Sequence, residues 1–328
     1  MRRFKVSDRT VLRSLDDLRH AGWIVRRHGS GTFVADPGQR APVLHPSATK
    51  STTLAAVALT FGPFYQYCVE LLSVQPQIAG MALVCHHARH EASFEDVLTL
   101  EAMNPFGFLL FNYHLVPIAK RLLERGHRTV IMGAPPADVY PEAPCVYADH
   151  DIGGWIACRH LLDWGHHRIA YVCTNARYPL ESTMRWKGHS RAIAEAKAAG
   201  VSAMTTVHGA EEVALWCDDP SAMAAYFRRP GAPTAVAAWN DAEAVRFVRL
   251  LHNAGLTVPD DVSIIGFDRL PVSEDCIPPL TTVDQHVDCQ LRTVLDLLVR
   301  PSAPPANQSI VVVPTLVSRA SCAAPRAG

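Results

Sequence analysis

The sequence predicts an α/β fold, with parallel sheets filling residues 54–328 behind a small basic N-terminal segment. Three observations carry this expectation. From Leu54 onward, short apolar runs alternate with amphipathic stretches, the rhythm of strands joined by crossover helices. Gly126, Gly165, Gly200 and Gly255 each close a helical stretch and lead into a strand, the usual place for a C-terminal glycine. The region of 275 residues is long enough for two such sheets, and 48% hydrophobic against 19% charged residues allows a sizeable core and excludes wholesale disorder.

Residues 7–20, "SDRTVLRSLDDLRH", read as a helix. Ser7 is a good N-cap, Val11, Leu15 and Leu18 line one face, and Gly22 stops the run. "WIVRR" then reads as a strand, "HGSG" as a turn and "TFVA" as a returning strand. Residues 37–53 are rich in Pro, Ser and Thr without periodicity and form a linker between a head, 1–36, and a body, 54–328. In the body the strand runs are "LAAVALTF", "GMALVC", "FGFLLF", "RTVIMG", "RIAYVC", "SAMTTVH", "TAVAAW" and "VSIIGF". Residues 115–126, 151–164, 185–199 and 241–254 are the helices between them, with Arg185 starting its helix after a loop.

The formal net charge is zero, but its distribution is uneven. Residues 1–40 hold nine Lys or Arg against four Asp, while the remainder holds 22 basic and 27 acidic residues. A basic head on a mildly acidic body is a footprint of nucleic-acid binding, and also of an ordinary solvated face. Nine cysteines are scattered singly, with no CxxC pair, as buried thiols are in a reducing cytosol. No apolar signal region or long apolar run is present, so a cytoplasmic protein without a membrane partner is expected.

"GSG" at 29–31 raises the question of a phosphate-cradling loop. Such a loop follows a strand and opens a helix, so that backbone N–H groups meet the anion. Here a strand follows, and no Lys-Ser/Thr pair does, so a hairpin turn using glycine for positive φ fits. "CHHARH" at 85–90 places Cys85, His86 and His90 near one another, but in an expected loop with no second cluster, so no metal site is expected. No GxSxG, HExxH, Walker A or kinase set occurs, and nothing assembles a nucleophile, base and oxyanion site. Neither an enzyme nor a cofactor is expected.

The head "VSDRTVLRSLDDLRHAGWIVRRHGSGTFVA" resembles the DNA-reading part of the gluconate-repressor (GntR) family: recognition helix, glycine, strand and a "GxGTFV" wing. The resemblance implies a partial winged helix-turn-helix in which Ser7, Arg9, Thr10 and Arg13 lie at the major groove, with Arg27, His28, Gly29 and Thr32 at the wing. Arg, Ser and Thr donate to phosphates and base edges, which suits that placement. Asp8 and Leu12 stand where the family usually has Arg, and the family's first helix and most of its second precede this stretch. Either translation starts upstream or the head is degenerate.

The body resembles the effector domain of the lactose/galactose-repressor (LacI/GalR) family through six motifs in order. These are "YADHDIGGWIACRHLLDWGHHRIAYV", "RWKG", "PTAVAAWNDAEAV", "VPDDVSIIGFD", "PPLTTVDQ" and "VPTLVSRAS". The resemblance implies two doubly wound parallel-sheet lobes, periplasmic-binding-protein-like, with a small-molecule effector between them. Asp149, Arg185, Asn240 and Asp268 are its implied ligand contacts, with Gln285 a further candidate and Phe61 and Tyr65 an apolar wall. Asn240 and Asp268 directly follow strands, where open parallel sheets bind ligands. Each also has a plainer reading: Asp149, Asn240 and Asp268 as caps, Arg185 as a surface ion pair. A stacking aromatic common in sugar-responsive relatives is Pro220 here, and Trp216 or Trp239 could replace it. The implied function is a repressor, homodimeric through its effector domain, binding operator DNA under control of a sugar or related polyol. A ligand sensor with a decayed head and a sugar or nucleoside enzyme are the alternatives.

Overall fold

The computed structural model describes residues 24–27, 31–34, 52–59, 62–88, 98, 101–102, 104–135, 141–174, 179–300, 304–305 and 307–326. The chain divides into two compact units, Met1–Ser47 and Ala48–Gly328. In the first, β1 (Ile24–Arg27) and β2 (Gly31–Val34) pair antiparallel, Ile24 opposite Val34 and Arg27 opposite Gly31. These are the two strands expected around "HGSG". The turn itself, the helix expected at 7–20 and nearly all of the 37–53 linker lie outside the described residues.

The second unit holds two six-stranded sheets. The first contains β3 (Thr53–Ala58), β4 (Ala82–His87), β5 (Gly107–Phe111), β6 (Thr129–Met132), β7 (Cys145–Ala148) and, from far along the chain, β13 (Ser309–Val312). Its order is β4-β3-β5-β6-β7-β13, and every neighbouring pair is parallel. The second contains β8 (Arg168–Val172), β9 (Met204–His208), β10 (Ala235–Ala238), β11 (Ser263–Asp268), β12 (Thr281–Asp284) and β14 (Thr315–Val317). Its order is β9-β8-β10-β11-β12-β14, parallel except for β14. In each sheet the chain starts near one edge, steps outward and returns, which is the doubly wound arrangement. The central strands are buried along their whole length because helices cover both faces, which is why they read as unbroken apolar runs.

The helices are α1 (Pro63–Ser73), α2 (Val116–Glu124), α3 (His150–Asp163), α4 (Pro179–Ala198), α5 (Ala210–Asp218), α6 (Pro220–Arg228), α7 (Asp241–Asn253), α8 (Val272–Asp275) and α9 (Val287–Val299). Three connections cross between the sheets: β7 to α3, β12 to α9, and β13 to β14. The crossings are stitched by packing. Leu291, Val294, Leu295 and Leu298 of α9 join Leu54, Leu109 and Val130 in the first lobe's core. Ala157, Cys158 and Leu161 of α3 join Ile169, Ala237 and Ile265 in the second.

One expectation needs correcting. The helix read as 185–199 starts at Pro179, so Arg185 lies inside α4 and not at its start. Proline is tolerated in the first turn of a helix, where its missing N–H has no intrahelical partner. α4 meets α3 through backbone contact. A methyl at Gly188 would lie 1.8 Å from the Asp151 carbonyl oxygen, and one at Gly154 would lie 2.0 Å from that of Arg185. Only glycine permits this approach, and it sets the height at which Arg185 stands above the second sheet.

Candidate functional site

A cavity of about 220 Å³ lies between the two lobes. Pro63, Phe64, Tyr65, Asn112 and Tyr147 line it from the first lobe, and His150, Arg185, Trp239, Asn240 and Asp268 from the second, with Gln285 and Gln290 beside the second crossing. The second lobe's polar groups stand at the C-terminal ends of β10 and β11, where a parallel sheet leaves room beyond its last residues.

Arg185 is the hub. Its side chain is buried, and Nη2 donates to Asp268 Oδ1 at 3.2 Å. Nε donates to His150 Nδ1 at 3.2 Å, and Nη1 donates to the Trp239 carbonyl. The guanidinium also sits 3.8 Å above the Phe267 ring, a cation–π contact. Asp268, equally buried, accepts a second bond from Gln285 Nε2 on the same oxygen. Its backbone φ is +112°, followed by +56° at Arg269, a left-handed pair without glycine. Such conformations cost of order 1–3 kcal/mol and persist only where the surroundings over-determine them.

Asp241 supplies that constraint. Fully buried, its carboxylate accepts the Leu270 N–H at 2.7 Å and the Thr282 hydroxyl at 2.5 Å, pinning the turn that carries Asp268. Burial, reinforced by the charge of Asp268, pushes its carboxyl well above the ordinary range. Asn240 caps α7, its Oδ1 accepting from Glu243 N–H at 2.8 Å, so its amide NH₂ remains for the cavity. His150 opens α3. Burial and the Arg185 charge hold its imidazole well below the usual range, so it is neutral, and because Nδ1 accepts from Arg185 the proton resides on Nε2.

Of the residues singled out from sequence, Tyr65, Arg185, Asn240, Asp268 and Gln285 are brought together around the cavity. Asp149 is not among the lining residues. Its carboxylate is the N-cap of α3, accepting from Ile152 N–H at 3.0 Å, the plainer of its two readings. Phe61 lies outside the described residues. Trp239 lines the cavity, whereas Trp216 packs with Met223, Phe227 and Phe247 in the second lobe's core. Pro220 is the first residue of α6, behind an Asp219 N-cap.

The sequence reading passed over His150, Asn112, Tyr147 and Gln290. A titratable residue at the first helical position behind a capping Asp, as in "ADHD", was the available signal for His150. "CHHARH" is corrected too: Cys85 and His86 lie on β4 and not in a loop, while His90 lies outside the described residues. Among the described residues no group of three or more His, Cys, Asp or Glu is placed to hold a metal. Nor is any helix there long and apolar enough to cross a membrane. Of the expected DNA contacts, Arg27 ends β1 and Thr32 lies in β2, whereas Ser7, Arg9, Thr10, Arg13, His28 and Gly29 lie outside the described residues.

Two parallel-sheet lobes joined by three crossings around a polar and aromatic cavity define a two-lobed binding-protein fold. The profile of the periplasmic binding protein-like domain matches residues 158–322, half of the chain, and the chain belongs to that family. Among named relatives, the HTH-type transcriptional regulator GalR of Escherichia coli is 33% identical over 186 residues, 56% of this chain and 53% of GalR. The chain thus spans about half the length of that relative. The arabinose metabolism transcriptional repressor of Geobacillus stearothermophilus is 26% identical over 301 residues, 85% of this chain and 77% of the repressor. The solved dimeric Lac repressor superposes with a TM-score of 0.67 at 20% identity, over 84% of this chain and 99% of that one. The transcriptional regulator CelR in complex with cellobiose gives 0.64 at 23%, over 97% and 92%. At these identities the two structures speak for the fold.

Proposed function

We propose that this chain is a transcriptional regulator, a repressor, whose binding to operator DNA is controlled by a small molecule held between its lobes. The observation that carries the reading is the buried Arg185–Asp268–Gln285 network, with Asn240 beside it, at the strand ends facing the inter-lobe cavity. A guanidinium, a carboxylate and amides converging on one wall, opposite aromatic side chains, suit the edges and faces of a sugar or related polyol. Relatives named as regulators, one of them of arabinose metabolism, support the same reading. The basic residues of the head and its β1–β2 hairpin supply the DNA-binding part, a GntR-type winged helix in which the hairpin is the wing. The protein acts in the cytoplasm as a homodimer, two heads taking two half-sites of a pseudo-palindromic operator, and catalyses no reaction.

Fluorescence anisotropy with the DNA upstream of its own gene tests this, across a salt series and with arabinose, ribose and cellobiose in turn. Affinity falls steeply with salt, and one of the sugars changes it at least tenfold. An Asp268→Asn variant keeps its DNA affinity and loses the response. Absence of DNA binding at low salt overturns the regulator reading. An unaltered response in Asp268→Asn overturns the cavity assignment.

A further inference from the structure

The cavity's charges are already matched to one another. Arg185 is the one cation among the described residues that line it, and Asp268 the one carboxylate. They pair at 3.2 Å with both side chains buried. Three of the five guanidinium N–H groups go to Asp268, His150 and the Trp239 carbonyl, and its face lies on Phe267, so its charge is already countered and its remaining N–H groups are suited to hydroxyls. His150 adds no charge, because an arginine N–H donates to its Nδ1 and a protonated ring would turn a second N–H against that donor.

Among the described residues, the other groups left for a ligand are neutral dipoles and rings. They include the Asn240 NH₂, the Nε2–H of His150, the Oε1 of Gln285, whose NH₂ goes to Asp268, and the walls formed by Phe64, Tyr147 and Trp239. A phosphate or carboxylate entering here loses its hydration without gaining an unpaired cation, and an ammonium meets a carboxylate already bonded twice. Burying an ion without a partner is strongly unfavourable, whereas hydroxyls need only the dipoles present.

We propose that the cavity selects an uncharged, ring-shaped polyol and rejects the phosphorylated, acidic and amino forms of the same ring. This rests on the cavity being the effector site. It narrows the effector to what a kinase, an oxidase or an aminotransferase acting on sugars has not yet modified.

The experiment is titration calorimetry of the full chain with matched pairs: ribose and ribose 5-phosphate, glucose with glucose 6-phosphate and glucuronate, galactose and galactosamine. The uncharged member of a binding pair is expected to bind at least 100-fold more tightly. A charged member that binds equally or better overturns the proposal. Inorganic phosphate supplies an arm that depends on no particular sugar. The wild type is expected to show no saturable binding, while Asp268→Asn, which frees Arg185 from its counter-ion, takes phosphate up at least tenfold more tightly. Equal behaviour of the two proteins toward phosphate overturns the proposal as well, circular dichroism having shown the variant folded. If no sugar pair binds, the carbohydrate reading of the site falls, and the phosphate comparison still decides whether the ion pair excludes charge.

Discussion

Gly188→Ala sets two effects of opposite sign against each other. In a helix interior alanine is favoured over glycine by about 1 kcal/mol, so with free space the variant gains stability. At this position the new methyl lies 1.8 Å from the Asp151 carbonyl oxygen and 2.7 Å from the Trp155 nitrogen. Both are backbone atoms of α3, so no rotamer change relieves the clash. The helices must part by more than about 1 Å to approach an ordinary contact near 3.5 Å. Overpacking costs about 1–3 kcal/mol, and more where backbone has to move. With two backbone atoms in the way the upper end applies, and net of the propensity gain the loss is about 2 kcal/mol or more. For a body of this size that lowers Tm by about 4–8 °C. Arg185 stands on α4 less than one turn before Gly188, so the parting also carries Nη2 beyond its 3.2 Å bond to Asp268. Scanning calorimetry with and without a binding sugar measures both consequences. A Tm equal to or above that of the wild type, with sugar affinity intact, refutes the argument that backbone contact at these glycines positions the site.

Other perturbations probe the same architecture. Arg185→Ala leaves the Asp268 carboxylate buried without its ion partner and costs about 3–5 kcal/mol, whereas the double variant Arg185→Met with Asp268→Leu recovers much of that loss. Urea denaturation of both decides it, and a double variant as unstable as the single one refutes the pairing. Asp241→Leu strips the Leu270 N–H and the Thr282 hydroxyl of their acceptor and lowers stability by about 2–3 kcal/mol, while Asp241→Asn, which keeps a carbonyl oxygen, loses less. The same urea series ranks the two. His189 is held down to about 3 by burial, against an ordinary value of 6.5. Below 6.5 the unfolded chain takes up a proton that the folded one does not, so this contribution is complete above that pH. It declines by up to about 1.4 kcal/mol per pH unit as the pH falls toward 3. His189→Gln removes that slope, so its stability deficit against wild type narrows between pH 7 and pH 5. An unchanged deficit contradicts the assignment.

The sheets were readable because central strands buried on both faces leave unbroken apolar runs, as in "FGFLLF" and "VSIIGF". β7, β12, β13 and β14 were passed over, being at most four residues long and rich in Thr, Ser or Pro neighbours. α4 was read short because "YPLEST" looks like a loop until Pro179 is placed in the first turn. Asn240 and Asp268 were legible from their place at the C-terminal ends of strands, Asp268 closing β11 and Asn240 standing two residues beyond β10. The sequence could not distribute the roles of the carboxylates: Asp149 goes to a helix N-terminus, Asp241 to a buried turn and Asp268 to the cavity, according to which backbone N–H groups lie nearby. His150 escaped because its neutrality comes from burial and from an arginine 35 residues away, both products of the tertiary fold.

The three crossings have a consequence for how the protein is made. Neither lobe is a continuous stretch of chain: the first lobe's core waits for α9, and its last strand is residues 309–312. A ribosome adding roughly 5–20 residues per second leaves β3–β7 without these partners for something like 7–30 s after β7 emerges. During that interval the surface later covered by Leu291, Leu295 and Leu298 has nothing of its own chain to bury it. The second lobe, meanwhile, has most of its strands in hand, lacking β14. The lobe that starts first is finished almost last, and its nascent form is the one a chaperone has most reason to hold.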